Sequence, residues 1–281
     1  MLGVVDVGGG LRGIYGAGVL DYCLDQGIKF DYCIGVSAGS ANVISYVAGQ
    51  RGRNYHYFFE YSFRKEYMSF KNFLRKCSYL DVDYIFSTLC NSDGESPLNY
   101  LAVVNSGIPL RIVTTSAKTG KTVYFTEKDL QQDCYDVIKA SCSFPVINRP
   151  YIFKGESYYD GGISDPIPVE KAINDGCDRL VVILTKPVMI YRDRIKWKLF
   201  SCFIQREFPK AAELIRHFNS LYMTKLEIAM KYANEGRVFI IAPKTIYNMT
   251  MLKRDKTILQ KLYDDGIRDA HAISNFIKKG M

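Results

Sequence analysis

Tyr32-Cys33-Ile34-Gly35-Val36-Ser37-Ala38-Gly39-Ser40 reads as a strand that turns, without a spacer, into a helix. Apolar, partly β-branched residues favour extended backbone before Ser37. Residues 38–48 then carry a helical pattern that Gly49 closes. Upstream, Leu2-Gly3-Val4-Val5-Asp6-Val7 is a second short strand that stops at Gly8-Gly9-Gly10. Residues 14–26 follow as a helix ended by Gly27. Strand, helix, strand, helix with short connections predicts an α/β fold, a mainly parallel sheet between two helical layers.

Further out, residues 51–90 read as helical but crowded with aromatics, and 91–97 as a polar loop. Residues 110–116 and 122–126 form a predicted hairpin around Lys118-Thr119-Gly120-Lys121, and 129–141 a helix. A second hairpin pairs 151–153 with 157–159, 169–174 is helical, and 180–184 is a wholly apolar strand suited to a sheet interior. Past Lys186-Pro187, apolar residues from Phe208 to Ala233 recur every three or four positions, predicting one long helix up to Gly236. Residues 238–242 form one more strand and 256–263 a short helix. A soft boundary near 187 separates residues 1–187 from a helix-rich extension, 188–281, packed on them; strand 238–242 is a candidate to rejoin the first sheet.

With 281 residues, 48% hydrophobic and 23% charged, the chain has the composition of a globular protein able to bury one large core or two modest ones. No apolar run approaches the ~20 residues that span a bilayer, and the chain enters a strand at once without a signal peptide. The expected location is cytoplasmic, with room for peripheral contact at a membrane. Eight cysteines without a Cys-x-x-Cys pair, and only His56, His217 and His271, argue for buried free thiols rather than a metal. The net charge of +8 concentrates in two stretches, 51–76 and 192–216, each with seven Lys/Arg. A basic surface of that kind suits an anionic partner.

Two glycine-bearing turns carry the chemistry. Gly35-Val36-Ser37-Ala38-Gly39 fits Gly-x-Ser-x-Gly between strand and helix, where a serine is held on a sharp turn at a helix N-terminus. The plainer reading is a tight turn with Ser37 as a cap. Gly8-Gly9-Gly10-Leu11-Arg12-Gly13 offers backbone N–H groups to an anion. It also fits a dinucleotide loop, but the second strand ends in Gly35-Val36-Ser37 where that site needs an acidic residue. Both loops belong to the carboxyl edge of a parallel sheet, so the glycine loop suits an oxyanion hole facing Ser37. None of the histidines sits in a context that suits a base for Ser37. Asp160, ending a strand in Tyr158-Tyr159-Asp160-Gly161-Gly162, fits better, provided it is desolvated, with the two tyrosines as its shield. A turn aspartate capping its own backbone is the alternative, and Asp165, before Pro166, is a rival carboxylate.

These three pieces in this order resemble the patatin-like phospholipase family: Gly8 to Gly13, Gly35 to Gly39 and Asp160-Gly161-Gly162. Ser143-Phe144-Pro145 and Asp165-Pro166-Ile167-Pro168-Val169 also look like that family, and the resemblance covers roughly residues 3–185. It implies a patatin-like α/β/α fold and a catalytic dyad of Ser37 and Asp160. Gly8, Gly9 and Gly10 would form the oxyanion hole, with Arg12, Gly13, Gly35, Gly39, Gly161 and Gly162 supporting the motifs. The expected activity is that of a serine acyl hydrolase acting on lipid esters through an acyl-enzyme, with no metal and no other cofactor. A lipid-binding protein without turnover and a nucleotide-dependent oxidoreductase are the alternatives.

Residues 55–79 hold ten Phe/Tyr interleaved with Arg64, Lys65, Lys71, Arg75 and Lys76. Inward-packed aromatics under a charged face rank first, an acyl-chain wall with a basic rim toward anionic lipid second. No nucleic-acid partner is expected. Arg194-Ile195-Lys196-Trp197-Lys198-Leu199-Phe200 fits an interfacial segment or a surface helix.

Overall fold

The computed structural model describes residues 1–189 and 195–278. In chain order its elements are β1 (Leu2–Asp6), α1 (Ile14–Asp25), β2 (Tyr32–Val36), α2 (Ala38–Val47), α3 (Arg53–Phe59) and α4 (Phe70–Lys76). Next come α5 (Tyr100–Asn105), β3 (Leu110–Ser116), β4 (Thr122–Thr126), α6 (Asp136–Ser141), β5 (Tyr151–Phe153), β6 (Glu156–Asp160), α7 (Val169–Asn174) and β7 (Arg179–Ile183). The chain continues with α8 (Ile195–Ile204), α9 (Pro209–Arg216), α10 (Phe218–Asn234), β8 (Val238–Ile241) and α11 (Lys256–Lys278).

Eight strands make one sheet in the order β5-β6-β3-β2-β1-β7-β8, with β4 also on β3. Strands β3, β2, β1, β7 and β8 run parallel; β4 and β6 run against them, and β5, antiparallel to β6, points the same way as β3. Alternation along the strands feeds two cores. Val4, Cys33, Ile112 and Val181 face a layer built by α1, α2, α3 and α11. Val5, Ile34, Val36, Val113 and Val182 face α7 and α10. This is the three-layer α/β/α arrangement, and β8 returns to the sheet beside β7.

One register positions the site. β3 pairs with β4 over Arg111 to Thr115, so its other edge is shared by β2 and β6. Val36, the last residue of β2, is opposite Val113, and Asp160, the last of β6, is opposite Thr114. Two strands thus run toward each other along one edge and end face to face. Gly161, the next residue, lies so close to that edge that a Cβ would sit 2.3 Å from Val113 O.

Three element boundaries differ from the sequence reading. The helix expected from 208 to 236 is two, α9 and α10, because His217 leaves helical geometry with φ −105° and ψ 19°. The break serves separate cores: Ala211 and Ile215 pack with Tyr159 and Trp197, whereas Tyr222, Leu226 and Ala229 pack on the sheet. The helix expected over 256–263 runs on to Lys278, burying Gly266, Ala270 and Ile273. The helix expected from 129 starts only at Asp136. Residues 51–90 form α3, α4, a 3-10 turn at Tyr61–Phe63 and a π-type turn at Tyr84–Thr88.

The thiols also differ in part. All eight cysteines are free, but Cys77 and Cys202 are exposed and Cys134 is half-buried. Trp197 is buried against Phe144 and Phe218, centroids 6.0 and 4.6 Å away, so it is a core residue rather than an interfacial one. Arg194 lies outside the described residues. Among the described residues, no helix is long and apolar enough to cross a membrane.

Candidate active site

Ser37 occupies the step from β2 to α2 with φ 56° and ψ −130°. That region costs a non-glycine residue about 1–3 kcal/mol, so the surrounding structure must impose it. The Ser37 N–H donates to Ser141 Oγ at 3.0 Å, and Ser141 Oγ donates to Val113 O at 2.7 Å. The Ser40 hydroxyl, 2.9 Å from Ser141 Oγ, completes the bracket. Close packing fixes the turn from the other side, since a Cβ on Gly39 would sit 2.2 Å from Asp6 O. The Ser37 side chain does not cap α2; it lines the same two cavities as the Asp160 carboxylate.

Asp160 is buried, and loss of water pushes its pKa up to about 7 despite the nearby Ser37 hydroxyl and the hydrogen bond from the Gly162 N–H. The Gly162 N–H reaches Asp160 Oδ1 at 2.8 Å, so the carboxylate caps its own turn. Its backbone is held by Asp160 N–H to Ser143 O and by Thr115 Oγ1 to Asp160 O, both 2.9 Å. The expected tyrosine shield is not what covers it. Tyr159 packs in a separate core and Tyr158 meets Phe125 edge-on at 5.2 Å. Phe144 and Ile147 line the space beside Asp160 instead.

The glycine loop is built on positive φ at Gly8, Gly9 and Gly10. Its anchor is Asp6, a buried carboxylate whose pKa burial raises to about 6. Asp6 Oδ1 accepts the Gly8 N–H at 2.9 Å, and Oδ2 accepts from Asn42 Nδ2 at 2.8 Å. Asn42 also donates to Gly13 O at 2.9 Å, and the Thr185 hydroxyl donates to Gly8 O. Leu11 N–H donates to Met251 O at 2.9 Å, so the C-terminal portion closes the loop. With Gly8 committed to Asp6, Gly9 and Gly10 have the loop's amides without a hydrogen-bond partner among the described residues. Arg12 is half-buried beside Gly9.

Two cavities meet at Ser37 and Asp160. One is a narrow slot of about 70 Å³, walled by Leu11, Tyr57, Phe58, Tyr67, Met68 and Phe86 among others. The other is a wider cleft of about 430 Å³ that takes in Gly8, Gly9, Arg12, Thr185, Lys186 and Tyr222. Met251 and Leu252 belong to both. The aromatics around residue 57 are therefore packed inward and also form an apolar wall next to the serine.

The remaining candidates fall elsewhere. His56 pairs with Glu60 at 3.1 Å, His271 Nδ1 lies 3.3 Å from Tyr22 OH, and His217 joins α9 to α10; none lines either cavity. Asp165 is buried against Lys225 at 3.2 Å and accepts from Tyr124 OH at 2.6 Å, a tie between β4, α10 and the segment that precedes α7. Cys142 lines the slot, but burial and the neighbouring Asp160 push its thiol well above the ordinary range, the wrong direction for a nucleophile. Asp6 stood in the sequence as a charge at the end of an apolar strand, a signal that the sequence reading passed over. Ser141 and Met251 had no such mark, because they act across 104 and 240 residues.

A family model for patatin-like phospholipases matches residues 7–173, and one for a domain of unknown function (DUF6363) matches 208–281. "Uncharacterized protein YjjU" of Escherichia coli (strain K12) is 28% identical over 257 residues, 90% of this chain and 71% of that protein. Among solved structures, VipD from Legionella pneumophila is similar with a TM-score of 0.47 at 15% identity. That match covers 96% of this chain, which spans 66% of the VipD chain.

Proposed function

Because this chain belongs to the patatin-like phospholipase family, a family of lipid hydrolases, we propose that it cleaves acyl esters of lipids with Ser37 as nucleophile and Asp160 as base. Asp160 takes the hydroxyl proton as Ser37 Oγ attacks the ester carbonyl. The tetrahedral oxyanion is held by the Gly9 and Gly10 amides at the N-terminal end of a helical turn. Collapse expels the alcohol, which takes the proton from Asp160 and leaves an acyl-serine. Water, deprotonated by the same carboxylate, releases the fatty acid and restores Ser37.

The observation that carries this reading is the placing of Ser37, on a strained turn, in the same two cavities as a buried carboxylate raised to about 7. A carboxylate at its ordinary ~3.9 is a weak base, whereas one near 7 is matched to neutral conditions. The division of space supports the substrate class: the apolar slot suits an acyl chain and the wider cleft, with Arg12 and Lys186, suits a polar leaving group.

Labelling with a fluorophosphonate probe tests the assignment. Wild type reacts, Ser37→Ala does not, and Asp160→Asn reacts at least ~10²-fold more slowly, the scale of general-base loss. Unlabelled wild type with turnover of no ester in a chain-length series would leave a lipid-binding protein. Ser37→Ala that still labels would remove the nucleophile, and Asp160→Asn at full rate would remove the base.

A further inference from the structure

Helix α4 buries none of its seven residues, yet carries Phe70, Phe73 and Leu74, which are 66%, 39% and 70% exposed. Spacings of three and four put these side chains on one face, and the Phe70 and Phe73 rings stack at 6.0 Å. So short a helix does not hold itself. Ser69 Oγ accepts the Asn72 N–H at 3.2 Å, Asn72 Nδ2 donates to Glu66 O at 3.0 Å, and the Cys77 N–H closes the end on Phe73 O at 2.9 Å. The polar groups are thus tied down while the apolar ones are presented outward.

The apolar surface continues past α4. Phe73 opens on a groove of about 820 Å³ together with Ile152 of the β5–β6 hairpin, 68% exposed, and Phe203 of α8, 76% exposed. Leu199, one turn before Phe203, is 60% exposed. Among the cations of residues 51–76 the pairing is selective. Arg53 is buried, Arg51 pairs with Asp25, Arg64 with Glu95 and Lys76 with Asp81. Lys65, Lys71 and Arg75 are exposed and have no carboxylate partner among the described residues.

We propose that α4, with the adjoining faces of α8 and the β5–β6 hairpin, docks the protein on an anionic lipid bilayer. Exposed aromatic and leucine side chains on a helix that also carries the uncompensated Lys71 and Arg75 match the chemistry of such a surface: acyl tails below, phosphate groups above. A second copy of the chain fits it less well, because a twofold contact through α4 would set Lys71 and Arg75 against the same cations. The placement also serves the active site. α4 is an excursion between Met68 and Leu80, which pair with each other, and both of these residues line the slot that reaches Ser37. Leu80 also lines the outer groove, so the face that meets lipid adjoins the wall of the apolar slot. Docking stands on the surface alone; its link to turnover rests on the acyl-hydrolase reading.

Vesicle flotation of the full chain tests this, using phosphatidylcholine alone and phosphatidylcholine mixed with phosphatidylglycerol. Wild type and Ser37→Ala are expected to float equally with the anionic vesicles, weakly with the neutral ones, and less as salt rises. Phe70→Ser with Leu74→Ser lowers binding to anionic vesicles about tenfold or more, and Lys71→Glu with Arg75→Glu removes the preference for them. Both variants keep wild-type rates on a soluble short-chain ester and lose rate only on vesicle lipid. Wild type that ignores anionic vesicles, or variants that bind as wild type does, would overturn the proposal. So would sedimentation showing a dimer that the α4 variants dissociate. Normal docking of a protein that cleaves no lipid would leave the surface intact and refute the hydrolase reading instead.

Discussion

Asp160 and Asp6 are carboxylates taken out of water and held above their ordinary range, at about 7 and about 6. A carboxyl whose folded pKa is raised keeps its proton in the native state after the unfolded chain has lost it. The resulting stability is complete below about pH 3.8 and is lost as pH rises through about 7 for Asp160. At pH 8 the ionised, buried group costs on the order of 2–4 kcal/mol. Asp160→Asn keeps an oxygen for the Gly162 N–H and removes the ionisation. It is expected to unfold at higher temperature than wild type at pH 8, with the gap closing by pH 4. Thermal melts at the two pH values decide it, and an Asn variant less stable than wild type at pH 8 contradicts the burial argument. The lost stability and the proposed basicity share one cause, the absence of water around one carboxylate.

Among the helices, the crossing of α1 and α11 has the least room for change. A Cβ on Gly266 would sit 2.2 Å from Tyr15 O, and one on Gly18 would sit 2.3 Å from Tyr263 O. In an open helix Gly→Ala stabilises by up to ~1 kcal/mol; here overpacking reverses the sign, and Gly266→Ala is expected to destabilise by about 1–3 kcal/mol. A urea titration reads the direction, and an unchanged or higher midpoint would show that the crossing has slack. The same glycine explains a boundary that the sequence hid: Asp264-Asp265-Gly266 looks like a turn, although in α11 it is a notch for a neighbouring backbone. The strands Leu110–Ser116 and Thr122–Thr126 were legible because alternation and the Lys118–Lys121 turn are local signals. His217 interrupts a continuous three-and-four pattern only because two cores pull on its two sides, which no window of sequence contains. At the candidate site the glycine motifs and Asp160 were readable for the same local reason. Asp6, Ser141 and Met251 took their meaning from the assembled sheet.

At the scale of the molecule, the C-terminal portion is woven into the fold: β8 covers the edge of β7, α11 packs on α1, and Met251 holds the glycine loop. A chain ending at Pro187 would leave the apolar β7 as an unpaired edge, a ready template for association. We expect it to aggregate on expression and, where soluble, not to react with a fluorophosphonate; a monomer that labels like the full chain would show residues 188–281 to be dispensable. The meeting of β2 and β6 on one edge of β3 has a wider consequence. Val36 and Asp160 are anchored to consecutive residues, Val113 and Thr114, so the two ends of the intervening segment are pinned side by side on β3. Under the proposed acyl-hydrolase reading, changes in the outer parts of that segment are expected to alter which substrate is admitted while the ends of β2 and β6 stay where β3 holds them. On such a frame, new substrate preferences can be acquired at the periphery without rebuilding the centre.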